Sequence, residues 1–228
     1  MAELMIVVAI IALISSIAVP KFLSTKVSAN ESAAISALRN LAAAQAQMQA
    51  GGAVDCDSDG AGEFAYFAEL AGAVALREND GSFAPQVGTD LLDPRILATS
   101  FGYVDNGTVS RSGYLFQLFL PDGAGRGVPE AQNGGMGNAV DPDNCEVFWC
   151  CYAWPSDAGS TGNRVFFINQ DGDIWQFANR SGGYSGTAAA PPWSAAFAAG
   201  GLDMGAQVAN GAAGTNGQDG NTWTSLQL

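Results

Sequence analysis

Residues 3–22 read ELMIVVAIIALISSIAVPKF, a carboxylate at Glu3 followed by an apolar run that closes at Pro20. Leu4–Val19 is sixteen residues without a charge, and its only hydroxyls are Ser15 and Ser16. A free-standing transmembrane helix usually takes about 20 apolar residues. A cleavable signal would place basic residues before the run and a small-residue cleavage site after it. Here Glu3 comes before, and the basic residues Lys21 and Lys26 come after, near the interface. The spacing fits a membrane-inserted segment that stays on the protein.

The helical pattern continues past Pro20. Val27, Ala34, Ile35, Leu38, Leu41, Ala42, Gln45 and Met48 recur at three and four residues with polar residues between them, as on an amphipathic helix. Alanine-rich composition supports it, and Gly51-Gly52 supplies a stop. A helix from residue 2 to residue 50 would be roughly 75 Å long at ~1.5 Å per residue. One domain cannot cover that length. The first half must find lipid or other chains, and the second packs on its own domain. Ser15-Ser16 and Pro20 mark where such a helix can kink or loosen.

The rest of the 228 residues is enough for one globular head. EFAYFAELAGAVAL (63–76) reads as a short helix, and 79–100 as loop. GYLFQLFLP (113–121), EVFWCCYAWP (146–155) and RVFFINQDGDIWQFAN (164–179) read as strands, the last turning at Asp171-Gly172. Asn106-Gly107 suggests another hairpin. Their aromatic residues read as core. The expected fold is α+β: a long N-terminal helix on an antiparallel sheet of about four strands, with long Gly/Ala-rich loops. The expected division is 1–26 for the hydrophobic helix and 27–228 for the head, itself split into the amphipathic half 27–50, loop and sheet 51–181, and a Gly/Ala-rich region 182–228. That last region reads as a surface covering pinned by Trp193, Phe197 and Trp223, or as a mobile tail.

Charge and composition narrow the function classes. Nine Lys and Arg stand against 22 Asp and Glu, a net charge of −13, which repels phosphate and argues against nucleic-acid binding. With no His at all, the commonest general base and metal ligand are missing. No catalytic site is expected. The four cysteines, Cys56, Cys145, Cys150 and Cys151, form no CxxC pair. In an exported chain they suggest two disulfides, with Cys56 joining the 145–151 cluster; four buried thiols are the plainer alternative.

The residues ELMIVVAIIALISSIAVPKF closely resemble the N-terminal segment of type IV pilins and type II secretion pseudopilins. In that family a Glu opens the apolar run and a Pro lies seventeen residues later, as Glu3 and Pro20 do. The resemblance covers about the first quarter of the chain. It implies a helical homopolymer with bundled N-terminal helices, inner-membrane anchored before assembly and an extracellular filament on the cell surface afterwards. It further implies partners in the pilus assembly machinery and a prepilin peptidase, and a local melting of the helix at Pro20 in the fibre. The family's mature chain starts with an N-methylated Phe and has its Glu fifth; here the Glu is third, without a short basic leader, which leaves the methylated residue open. Alternatives are a pseudopilin, or a non-polymerising membrane-anchored adhesive or binding protein.

The physical argument for Glu3 runs the same way. A carboxylate in the apolar layer costs roughly 2.5–3.5 kcal/mol, and a neighbour's N-terminal amine, here on Met1, would offset it where the dielectric is low. Met1, Glu3 and Pro20 are thus the assembly candidates; the plainer reading of Glu3 is an interfacial residue on a simple anchor. Beyond assembly, DCDSDGAGE (55–63) places oxygen ligands at alternate positions before a Gly, like the first half of an EF-hand loop. Asp55, Asp57, Asp59 and Glu63 are candidate calcium ligands, although Tyr66 stands where that loop needs its final Glu. The plainer reading is a solvated acidic turn, and no cofactor is required. Asp141 with Asp143, and Asp171 with Asp173, are weaker candidates. Three Asn-x-Ser/Thr triplets make Asn30, Asn106 and Asn179 glycosylation candidates.

Overall fold

A computed structural model describes residues 2–79, 85–180 and 182–226. The fold is α+β. Helix α1 (Ala2–Gly51) runs unbroken through Pro20, although the proline ring has no N–H to give the preceding turn. None of residues 2–26 is buried. Burial begins at Val27 and then follows one stripe: Glu31, Ala34, Ile35, Ala37, Leu38, Leu41, Ala44, Gln45 and Met48. By length and composition α1 can cross a membrane.

The stripe on α1 lies against a seven-stranded antiparallel sheet made of β3 (Val109–Arg111), β4 (Tyr114–Pro121), β5 (Gly127–Pro129), β6 (Cys150–Pro155), β7 (Arg164–Asn169), β8 (Ile174–Ala178) and β9 (Thr224–Ser225). The order is β3-β4-β6-β7-β8-β9, and β5 also pairs with β4. The four expected strand segments lie in β4, β6, β7 and β8; three short strands extend the sheet. The turn at Asp105–Thr108 closes only an isolated bridge. It is Ser112 and Gly113, at φ 49° and 74°, that turn β3 into β4, a geometry that matches strand twist. Strand β6 starts later than expected because the amides of Glu146, Val147 and Phe148 turn back onto helix α3 (Pro142–Cys145), which is capped by the Asp141 side chain on the Asn144 amide.

Alternation along the strands gives the sheet two apolar faces. Tyr114, Phe116, Leu118 and Leu120 of β4, Cys151 and Ala153 of β6, and Phe166 and Ile168 of β7 face the core shared with α1. Leu115, Phe119, Tyr152, Trp154, Val165 and Phe167 face away from it, into a second core. The C-terminal region covers that second face. Phe197 and Trp223 are fully buried there, and Trp223 stacks edge-on to Tyr152, Phe167 and Phe177. Of the three anchors expected in residues 182–228, Phe197 and Trp223 are fully buried and Trp193 is half-buried.

Two further differences concern the segment after α1. The expected short helix is one turn, α2 (Phe67–Leu70), and 79–100 holds strand as well as loop. Strands β1 (Ala75–Asn79) and β2 (Pro85–Leu91) form a separate two-stranded ribbon. Most of β2 is exposed, so it carries none of the alternation that signals a half-buried strand.

The helix is latched to the head by polar side chains. Glu31 accepts from the Asn163 amide at 2.9 Å and pairs with the Arg164 guanidinium at 2.7 Å. Asn30 donates to the Thr161 carbonyl at 2.9 Å. Farther along, the buried Gln45 amide pairs with both backbone groups of Ala65, at 2.7 and 3.0 Å. The Gln45 latch satisfies buried backbone that would otherwise be left unpaired.

Candidate functional site

The first candidate surface is the free half of α1. Thirteen large apolar side chains from Leu4 to Leu23 are 51–74% exposed. Each is worth ~1.5–3 kcal/mol when fully withdrawn from water. Glu3 sits in the first turn of this rod, where unpaired backbone N–H groups favour a negative charge. Among the described residues no side chain pairs with it. Met1 lies outside the described residues.

The second candidate is the acidic loop after α1. Carboxylate oxygens of Asp55, Asp57 and Asp59 converge within 4.8 Å of one another, and those of Asp57, Asp143 and Glu146 do the same. The loop is held open by its own backbone: Asp57 accepts from the Asp59 amide, Asp59 from Ala61, and Asp55 from Gly60. Ser58 and Gly60 take positive φ, 62° and 94°. The second arm arrives through α3, and the Gln49 side chain holds the Glu146 carbonyl. Burial, with Asp59 and the neighbouring carboxylates of Asp143 and Asp55, raises the Asp57 pKa. Burial and then Asp59, Asp57 and Asp143 raise that of Glu146.

Glu63, expected in this cluster, is not in it. Its side chain turns inward, accepting from the Cys56 amide at 2.6 Å and pairing with Arg77 at 3.1 Å. Glu69 pairs with the same guanidinium at 3.1 Å and accepts from the Tyr66 amide. Arg77 also donates to the Phe64 carbonyl and, at 3.7 Å, to the Cys145 sulfur. The guanidinium and both carboxylates are 0–1% exposed. Burial opposes the Arg77 charge, but Glu69 and Glu63 outweigh it and its pKa is raised. Tyr66, at the loop's twelfth position, is fully buried.

The expected disulfides are not formed: Cys56, Cys145, Cys150 and Cys151 are buried free thiols. Strand alternation sends Cys151 into the core shared with α1 and Cys150 into the other. Burial pushes the Cys145 thiol up to about 12 and raises the other three as well.

Among the glycosylation candidates, the Asn30 amide is spent on Thr161. Asn179 is 3% exposed and bonds both ways to Tyr184, and Ser181 of its triplet lies outside the described residues. Asn106 alone of the three stands at an exposed turn. Asp141 serves as the α3 cap, and Asp171 bonds Asn169 within the β7–β8 turn.

One buried acid escaped the sequence reading. Glu130 accepts from the amides of Ala68 and Gly135, each at 2.9 Å, and from Phe67 at 3.3 Å. Burial outweighs these donors and pushes its pKa up to about 8 from 4.5. The native chain therefore keeps a proton that the unfolded chain releases above about pH 4.5. This group's stabilising contribution is full below that pH and is lost as pH rises through about 8. Thermal unfolding followed between pH 4.5 and 8 should show Tm falling with pH, and Glu130→Gln should flatten that slope.

No family model, curated protein or solved structure matches the chain.

Proposed function

We propose that the chain is the structural subunit of a type IV pilus-like extracellular filament, built by packing the free halves of α1 along a common axis with the heads outside. The observation that carries this reading is the exposed apolar rod, which the chain's own head leaves bare from Ala2 to Lys26. Before assembly a bilayer would cover it. In the filament its sisters would, with Glu3 paired to the amine of an adjacent subunit. The packing supplies adhesion, and the ion pair supplies register. Assembly machinery of the inner membrane and a prepilin peptidase are the partners this reading entails, and Pro20 is its point of local melting.

The test is to purify surface fibres from the source cells and sequence their main protein. This chain as the bulk component supports the proposal. Lost secretion without visible fibres on deletion of the gene would identify a pseudopilin instead, and a stable membrane monomer would identify an anchored binding protein.

A further inference from the structure

We propose that Asp55, Asp57, Asp59, Asp143 and Glu146 form a calcium site centred on Asp57, assembled from the loop after α1 and the turn that leads into β6. The two groups of converging carboxylates share Asp57 and bring five acidic side chains together. Asp55, Asp57 and Asp59 each accept from a backbone amide of the same loop, those of Gly60, Asp59 and Ala61. Among the described residues no lysine or arginine forms an ion pair with any of the five. Arg77, which follows the loop in the chain, is consumed by Glu63 and Glu69.

A separate observation points to a ligand. Asp55 Oδ1 and Glu146 Oε1 are both fully buried and accept no hydrogen bond. One belongs to each arm of the cluster. A carboxylate oxygen removed from water and left without a donor is costly, and here the neighbouring groups are themselves acceptors that repel it. A divalent cation between the arms satisfies both oxygens and neutralises the clustered charge. Asp59 and Asp143 are exposed, which leaves an entry side.

The donor set is all oxygen, drawn from five flexible carboxylates. Calcium takes six to eight oxygen ligands in adaptable geometry, whereas magnesium demands a tight octahedron and keeps its waters. The site also explains why the loop lacks an acid at its twelfth position: Tyr66 is core there, and the closing acids come from a second segment. Bound calcium would tie the end of α1 to the start of β6. This site stands independently of filament formation.

The test uses the full chain in detergent micelles, stripped with a chelator and titrated with calcium or magnesium. Calcium should bind with Kd on the order of 10⁻⁵–10⁻³ M and raise Tm by several degrees, with magnesium much weaker. D143N, D57N and E146Q should each lose affinity tenfold or more. Because like charges repel without the metal, D143N and D57N should melt no lower than the wild type in chelator, which separates lost binding from lost folding. D157N, in the exposed turn beside Thr161 and Asn30 at the other end of the buried half of α1, should behave as wild type. Three results would each overturn the proposal: no calcium-dependent shift at about 10 mM, an equal response to magnesium, or wild-type affinity in D143N.

Discussion

Glu3→Ala should leave the chain in the membrane and stop fibre growth. The substitution removes a group that opposes insertion by roughly 2.5–3.5 kcal/mol, so the apolar rod should insert at least as well. In a fibre it leaves the neighbour's amine in an apolar layer with nothing to offset it. A loss of similar size at each subunit contact lowers the addition constant on the order of 10²-fold, enough to end a polymer that must add many subunits. Membrane fractionation should find the variant at wild-type abundance, and electron microscopy should find few or no fibres. Glu3→Asp, which keeps the charge on a shorter arm, should restore part of the yield. Normal fibres from Glu3→Ala would mean that apolar packing alone sets the register.

The largest stability effect is expected at Arg77. Its guanidinium holds Glu63 and Glu69 in a setting with 0–1% exposure, and those two acids in turn hold the Cys56 and Tyr66 amides. Arg77→Met leaves two buried carboxylates without a counter-charge. Breaking a buried pair from one side costs about 3–5 kcal/mol, and two acids are stranded here. The head should lose most of a typical domain's stability, seen as a large drop in Tm and rapid proteolysis of the segment between α1 and β1. Adding Glu63→Gln and Glu69→Gln to Arg77→Met should recover much of it. Neutral amides keep an acceptor for the two backbone donors and carry no stranded charge. A triple variant no more stable than Arg77→Met would show that the guanidinium's packing matters more than its charge.

The rod and the inner core were legible because periodicity carries them. Val27, Ala34, Ile35, Leu38, Leu41, Gln45 and Met48 recur at helical spacing and all are buried. The strand segments stood out by their aromatic and branched residues, and β4, β6, β7 and β8 lie within them. Ribbon β1–β2 has no such pattern, since its second strand presents mostly polar residues to water. The second core was hidden for a different reason. Its lid comes from Gly/Ala-rich chain with little regular structure, so only Phe197, Trp193 and Trp223 hinted at it.

The acidic cluster was half legible. Asp55, Asp57 and Asp59 stand out by alternation, but convergence with Asp143 and Glu146 depends on a contact across some ninety residues of chain. Glu63 has the right spacing to join the loop, and the buried Arg77 draws it elsewhere. The spacing of two acids says nothing about a competing cation fourteen residues on. Likewise Glu31 is one more polar residue in the amphipathic stretch until Arg164 and the Asn163 amide are placed beside it.

The aromatic lid has a bearing on when the head can close. Trp223 wedges among Tyr152, Phe167 and Phe177, and β9 beside it zips onto β8. A head formed in chain order would have β4, β6 and β7 in hand while one greasy side still lay bare. Until Trp223 is in place that face stays open to water, so a single indole near the end of the second core decides when the head has shut.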